Sequence, residues 1–312
     1  MKVIKKEEFY TLLLGLSFFG CGGGGYISDG QKLLQDFNEI KLYDIDELPQ
    51  DSFAVSCYSC GSLSEKKVLG EKESCAFKTM EKFIGKRISA LFATELGAYN
   101  TPVLFKIAKS AGDIAVIDGD AAGRAVPNIE HSLIVRGGRM PTPLSICSED
   151  GDRLIIENVS EIRKLEEIVR PLSEKLGNLG VCDSAIKISE AEKYLKLKSI
   201  SKALEIGKLI QKRDLKGILS TIDGEVIYKG RIKEVDVENE GGFVEGRIIF
   251  DDDCYVKFIN ENMEFHGGGV NIYFPDLIII LRESDLHPVE NPPKEKIDVV
   301  VVAAKADERW YK

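Results

Sequence analysis

The stretch Phe19-Gly20-Cys21-Gly22-Gly23-Gly24-Gly25-Tyr26 decides which α/β fold this chain can have. Four glycines in a row are costly in any regular element, because each loses more backbone freedom on folding than a residue with a side chain. A folded protein keeps such a run where the backbone takes positive φ, or where another group comes very close. Two uses meet that condition: a tight turn that lets two elements pack, or a nest of backbone N–H groups that receives an anion or a polar heterocycle. Gly20, Gly22 and Gly25 also fit the pattern G-x-G-x-x-G, which as a dinucleotide site needs a strand before it and a helix after it. The preceding segment reads as a helix instead. Phe9, Leu12, Leu13, Leu16 and Phe19 recur at spacings of three and four, which makes one apolar face over residues 7–19. This argues against a dinucleotide-binding first strand, and the phosphate loop G-x-x-x-x-G-K-[ST] is absent.

Beyond the glycines, residues 31–37 form a short helical candidate and 48–51 a turn. Strand and helix signals then alternate: a strand from 53 ending at Cys57, a helix over 71–84, a strand over 88–93, a helix over 101–110 opened by Thr101 and Pro102, and a strand over 114–117. That order predicts right-handed crossovers and a mainly parallel sheet flanked by helices. Ligands of such sheets bind outside the carboxyl ends of the strands. The loops 57–65, 95–100 and 118–124 all follow strand ends, and they offer Glu95, Asp118 and Asp120 as carboxylates and Arg124 as a cation. A helix cap, a turn or a structural ion pair is the alternative use of each.

From about residue 153 the pattern changes. Residues 161–176 and 199–210 read as helices, and short strands follow at 226–228, 231–237, 243–250, 255–259, 277–281 and 299–304, separated by Gly, Asp and Asn turns. The division expected is an α/β domain over 1–152, then a helical connector and β-rich domain over 153–312. Asn260-Glu261 and Pro275-Asp276 stand beside apolar strands, placed either to reach a domain cleft or to satisfy turn backbone.

The net charge of −9, without a long basic block, argues against nucleic acid as the main partner. No segment approaches the roughly 20 apolar residues of a membrane span. Lys2, Lys5 and Lys6 before an apolar run and Cys21 imitate a lipoprotein leader, but Glu7 and Glu8 interrupt the basic region, so the chain reads as cytoplasmic. Seven cysteines imply no disulfide framework, and reduced thiols are expected. Cys57-Tyr58-Ser59-Cys60 reads as a redox dithiol, half a zinc site, or two small buried residues. His131, His266 and His287 are scattered, and a structural role is expected of His266.

Taken in order, these motifs resemble the S-methyl-thiohydantoin desulfurase family, long catalogued as a domain of unknown function and often found with hydantoinase and oxoprolinase proteins. The family's G-T-G-G-G-G loop appears as residues 20–25 with Cys21 in place of Thr. Gly61 with Glu65-Lys66 resembles its G-x-P and E-K, and Glu95-Leu96-Gly97-Ala98-Tyr99-Asn100 its E-[IL]-G-G-x-N. The most specific match is residues 118–127, resembling D-x-D-x-x-G-R-A-x-P. Residues 201–207, Asn260-Glu261 and 275–278 match further landmarks. Asn128 stands where the family usually has Glu, and Ala98 replaces a glycine.

The resemblance implies an enzyme that hydrolyses methanethiol from a 2-methylthio five-membered ring, leaving a hydantoin. That chemistry needs a base for water, a proton donor, and donors for charge on the ring. Glu95 is the candidate base, with Asp118 or Asp120 to orient it or to bind ring N–H groups, and Arg124 to hold a carboxylate arm. Gly22, Gly23, Gly24 and Gly25 are expected to offer N–H groups to a ring carbonyl, with Glu65 and Asn100 as further substrate contacts. No cofactor is required, although clustered carboxylates can hold a divalent metal. The alternatives are an accessory subunit or ligand-binding module of a hydantoinase- or oxoprolinase-like system, and a thiol redox protein using Cys57 and Cys60. A homo-oligomer or a hydantoinase-like partner fits either enzymatic reading.

Overall fold

The computed structural model describes residues 1–61, 69–240 and 243–312. Two seven-stranded sheets organise the chain. In the first, Phe53–Cys60, Ile88–Ala93 and Ala115–Asp120 lie parallel and adjacent, with Val55 opposite Leu91 and Leu91 opposite Val116. The helices Glu71–Ile84 and Pro102–Ser110 connect them, so the predicted alternation is present.

The sheet is mixed, however. Leu179–Lys187 runs antiparallel beside Phe53–Cys60, followed outward by Leu144–Cys147 and Arg153–Ile156, and Lys196–Leu197 closes the other edge beside Ala115–Asp120. Strands from beyond residue 152 therefore complete the first sheet. The Phe53–Cys60 partner of Leu179–Lys187 lies more than a hundred residues away in sequence, and such a pairing leaves no local pattern to read. The second sheet is antiparallel throughout, in the order Val270–Tyr273, Glu261–Gly267, Tyr255–Ile259, Phe243–Phe250, Gly224–Glu240, Asp298–Ala304 and Leu277–Arg282. Alternating residues such as Ile248, Phe250, Val256, Phe258 and Phe265 build its own core.

The helix Phe9–Phe19 is buried almost all round, not on a single face. The reason is a second helix, Ser199–Gln211, laid against it at backbone distance. A Cβ on Gly15 would stand 1.6 Å from the Ala203 carbonyl oxygen, and one on Gly207 would stand 1.8 Å from that of Thr11. Reciprocal glycines permit this approach, and Leu12, Leu13, Leu16, Ile200, Leu204 and Ile206 fill the seam without exposure. Gly20, the C-cap of the first helix, then delivers the chain into the glycine run.

Cys75 of Glu71–Ile84 and Cys147 of Leu144–Cys147 form a disulfide, against the expectation of reduced thiols throughout. The helix packs across that part of the sheet, which brings their Cα atoms to 6.0 Å. Among the described residues no helix is long and apolar enough to cross a membrane.

Candidate functional site

Beyond the carboxyl ends of Phe53–Cys60 and Ile88–Ala93 a cleft opens between the two sheets. The first domain contributes Gly24, Gly25, Tyr58, Cys60, Glu95, Asn100 and His131. The second sheet contributes Asn260 and Glu261. The helix Ile162–Leu176 adds Arg170.

Glu95 is 4% exposed and held at both oxygens. Asn100 Nδ2 donates to Oε1 at 2.7 Å, and the Val126 N–H donates to Oε2 at 2.7 Å. The Asn100 amide cannot turn round, because its Oδ1 accepts the Ser59 N–H at 3.0 Å. Burial raises the Glu95 carboxyl to about pKa 7, against the lowering effect of those two donors; Asp120 adds to the rise and the Arg124 charge opposes it. A carboxylate poised near neutrality in a cleft can accept a proton from water and return it.

Glu261 faces the glycine run. Gly24 N–H donates to its Oε1 at 3.2 Å, and a Cβ on Gly23 would lie 2.0 Å from that oxygen. Its Oε2 is buried with no partner among the described residues. Burial first, and the neighbouring Glu95 second, push the Glu261 carboxyl well above the usual range. The strand reaches the cleft through Asn260, whose left-handed backbone (φ 54°) turns the chain between Tyr255–Ile259 and Glu261–Gly267. The Asn262 N–H donates to the Cys21 carbonyl at 2.7 Å, and the Asn291 N–H to that of Gly22 at 2.8 Å. The glycine run is thus both proposed things in part. Gly22 and Gly23 make room for Asn291 and Glu261, while Gly24 and Gly25, with φ of 71° and 88°, present backbone to the cleft.

The far wall holds residues that sequence reasoning passed over. The Tyr58 hydroxyl donates to Asp183 at 2.8 Å, and burial raises that carboxyl to about 6. Arg170 Nη2 donates to Glu166 at 2.6 Å and to the Pro127 carbonyl at 3.0 Å, and its guanidinium lies 3.8 Å from the centre of the Phe243 ring. His131 lies against Phe274. Burial, then Arg136 and Arg124, lower its imidazole to about 4, which outweighs a Glu130 carboxylate 3.9 Å from Nε2. It is therefore neutral at physiological pH. None of these carries a local signature, since each is brought to the cleft by tertiary packing alone.

The remaining predicted residues are placed elsewhere. Asp118 caps the helix Ser199–Gln211, accepting from Ser201 N–H at 2.9 Å and from its hydroxyl at 2.5 Å. Asp120 folds its own loop, accepting the N–H groups of Ala122, at 2.9 Å, and Gly123. It lies beneath Glu95 and does not line the cleft; burial raises its carboxyl too. Arg124 is fully buried, with Nη1 to the Asp276 carbonyl at 2.6 Å, Nη2 to that of Asn262 at 2.7 Å and Nε to that of Ala125 at 3.0 Å. Its fork fastens the loop to the second sheet, and the fully buried side chain does not line the cleft where a substrate arm would lie. Glu65 lies outside the described residues, although Gly61 lines the cleft. Among the described residues no three His, Cys, Asp or Glu side chains converge as a metal centre requires.

Cys57 and Cys60 stand three apart on one strand and so face opposite sides of the sheet. Cys57 packs in the main core, while Cys60 reaches the cleft with its thiol raised to about 11 by burial. They do not form a dithiol pair.

A crystal structure of a structural-genomics target protein from Chromobacterium violaceum superposes with a TM-score of 0.80 over 100% of this chain and 94% of that one, at 19% identity, which shows a shared fold. No curated protein matches the chain. Family models described as S-Me-THD-like, N-terminal domain, and S-Me-THD-like, C-terminal domain, match residues 7–158 and 160–312. With nearly every residue covered, the chain belongs to the S-Me-THD-like family.

Proposed function

We propose that this protein is a hydrolase of hydantoin-like five-membered rings, removing methanethiol from an S-methyl-thiohydantoin. The observation that carries the reading is Glu95: a buried carboxylate, fixed by Asn100 and Val126 beyond the carboxyl ends of the parallel strands, with its proton affinity near neutrality. Family membership supports the substrate class. In this reading Glu95 deprotonates the attacking water. Asn100 keeps its carboxylate oriented, and the half-buried backbone of Gly25 receives the ring oxygen. Tyr58, Asn260 and neutral His131 supply hydrogen bonds to the ring edge without adding charge.

The test is turnover of S-methyl-thiohydantoins, scored as released thiol, by the wild type and by Glu95→Gln. The variant is expected to fold, to bind the ring and to lose a factor of about 10²–10⁴ in rate. The wild-type rate is expected to rise with pH toward a plateau above about 7, as Glu95 ionises. Full activity in Glu95→Gln sinks its assignment as base. Binding of hydantoins without turnover by the wild type favours a ligand-binding subunit instead.

A further inference from the structure

We propose that Glu261 is the proton donor of this site, acting from the second sheet opposite Glu95 on the first. The inference rests on the ring-hydrolysis reading above and adds the acid that reading lacks.

The two carboxyl groups share a cleft and differ in what surrounds them. Glu95 has a strong donor on each oxygen, at 2.7 Å. Glu261 has a long contact from Gly24 N–H at 3.2 Å on Oε1 and weaker help from its own backbone N–H, and Oε2 has no partner among the described residues while being buried. Arg124 is near enough to favour charge on Glu261, but its guanidinium donates to three carbonyl oxygens and to neither carboxyl group. A buried carboxylate so poorly solvated is costly, whereas a neutral carboxylic acid leaves only its O–H to satisfy, and a ring nitrogen entering the cleft is the acceptor it lacks in the free protein. Two carboxyl groups forced apart in proton affinity by unlike surroundings divide naturally into base and acid. The direction of the shift agrees, since burial and Glu95 both hold the Glu261 proton on. The acid therefore carries its proton on Oε2, the oxygen with no donor.

The surrounding backbone makes a place for this side chain. Gly23 has no Cβ where Oε1 lies, and the Asn262 N–H to the Cys21 carbonyl ties the strand to the glycine run one residue further on. Arg124 holds the Asn262 carbonyl from the other side at 2.7 Å. The acid is thus positioned by the same glycine loop that opens the cleft.

The cycle closes without another reactant. Water adds to C2 of the ring and gives one proton to Glu95. The C2=N electron pair moves to the ring nitrogen, which takes the Glu261 proton. The new C2 hydroxyl then returns its proton to the Glu261 carboxylate as C2=O forms and the C2–S bond breaks. The departing methanethiolate takes the proton from Glu95. One water and the S-methyl ring become hydantoin and methanethiol, and both side chains end as they began.

The experiment has two arms. Infrared spectra of the free wild-type protein at pH 8 are expected to show the C=O stretch of a protonated, buried carboxylic acid, lost in Glu261→Gln; its absence from the wild type overturns the proposal even if the variant does not fold. Turnover of an S-methyl-thiohydantoin by Glu261→Gln is expected to fall about 10²–10⁴-fold while ring affinity, read by thermal shift, stays within about threefold. Beyond its plateau the wild-type rate is expected to fall at more alkaline pH as the acid ionises, and this fall is expected to vanish in any residual activity of Glu261→Gln. Rates within about threefold of wild type overturn the donor role and leave the hydrolase reading standing. A wild type inactive on every S-methyl ring overturns both.

Discussion

Two acidic corners lie side by side at the end of the first sheet, and they are put to opposite uses. In the Asp118–Arg124 corner the carboxylates accept from backbone or a hydroxyl within their own loop or the helix Ser199–Gln211, the one unpartnered oxygen among the described residues, Asp120 Oδ1, is buried away from the cleft, and the guanidinium donates to carbonyls. In the Glu95–Glu261 corner Val126 and Gly24 donate from other segments and Asn100 from the same loop, Glu261 Oε2 has no partner among the described residues, and both groups line the cleft. Polar residues that complete one another build structure, and polar residues left incomplete beside a cavity are available to a ligand. The specific sequence signature D-x-D-x-x-G-R marks the first corner; our proposal assigns the chemistry to the second.

The largest effect that would break this contrast is expected at Arg124. Arg124→Met removes a buried charge and strands two carbonyls of the second sheet, so a loss of about 3–5 kcal/mol is expected by chemical denaturation. A loss under about 1 kcal/mol would mean that the corner is not structural.

The next test compares the pH dependence of stability in the wild type and Glu95→Gln. The folded-state pKa of Glu95 lies above its unfolded value, so the folded protein binds the extra proton between about pH 4.5 and 7. This group's contribution therefore favours the folded state at low pH and is lost as pH rises through about 7, on the order of 3 kcal/mol in all. The difference curve between the two proteins isolates it from Asp183 and His131, which titrate in the same range. A flat difference would deny Glu95 its raised affinity.

Gly23→Ala sharpens the contrast from the glycine side. Its Cβ must displace the Glu261 carboxyl, at an expected cost of about 1–3 kcal/mol, with thiol release falling further than stability alone explains. Asp118→Asn has the smallest expected effect. Loss of the charged cap of Ser199–Gln211 costs about 1 kcal/mol or less in denaturant unfolding and leaves the turnover rate within about twofold.

What was legible in the sequence was whatever repeats locally. The three parallel strands and their helices follow from apolar periodicity, and Thr101-Pro102 marks the start of Pro102–Ser110. Glu95 was visible as the first polar group but one after a strand, and Asn260-Glu261 as a polar doublet between apolar runs. The antiparallel flanks of the first sheet were not visible, because Cys57 meets Cys182 and Ser145 meets Cys182 only after the chain has closed long loops. Arg170 and His131 were hidden for the same reason: a charged residue on a charged helix and a lone imidazole look the same on the page wherever they end up.

The seam between the sheets has a practical consequence. Its two carboxyl groups are encoded 166 positions apart, on elements fastened together by the glycine bend and the arginine beneath it. Halves of this protein produced separately would each own one partner of the pair, so catalytic complementation on mixing them would report directly how well the halves find each other.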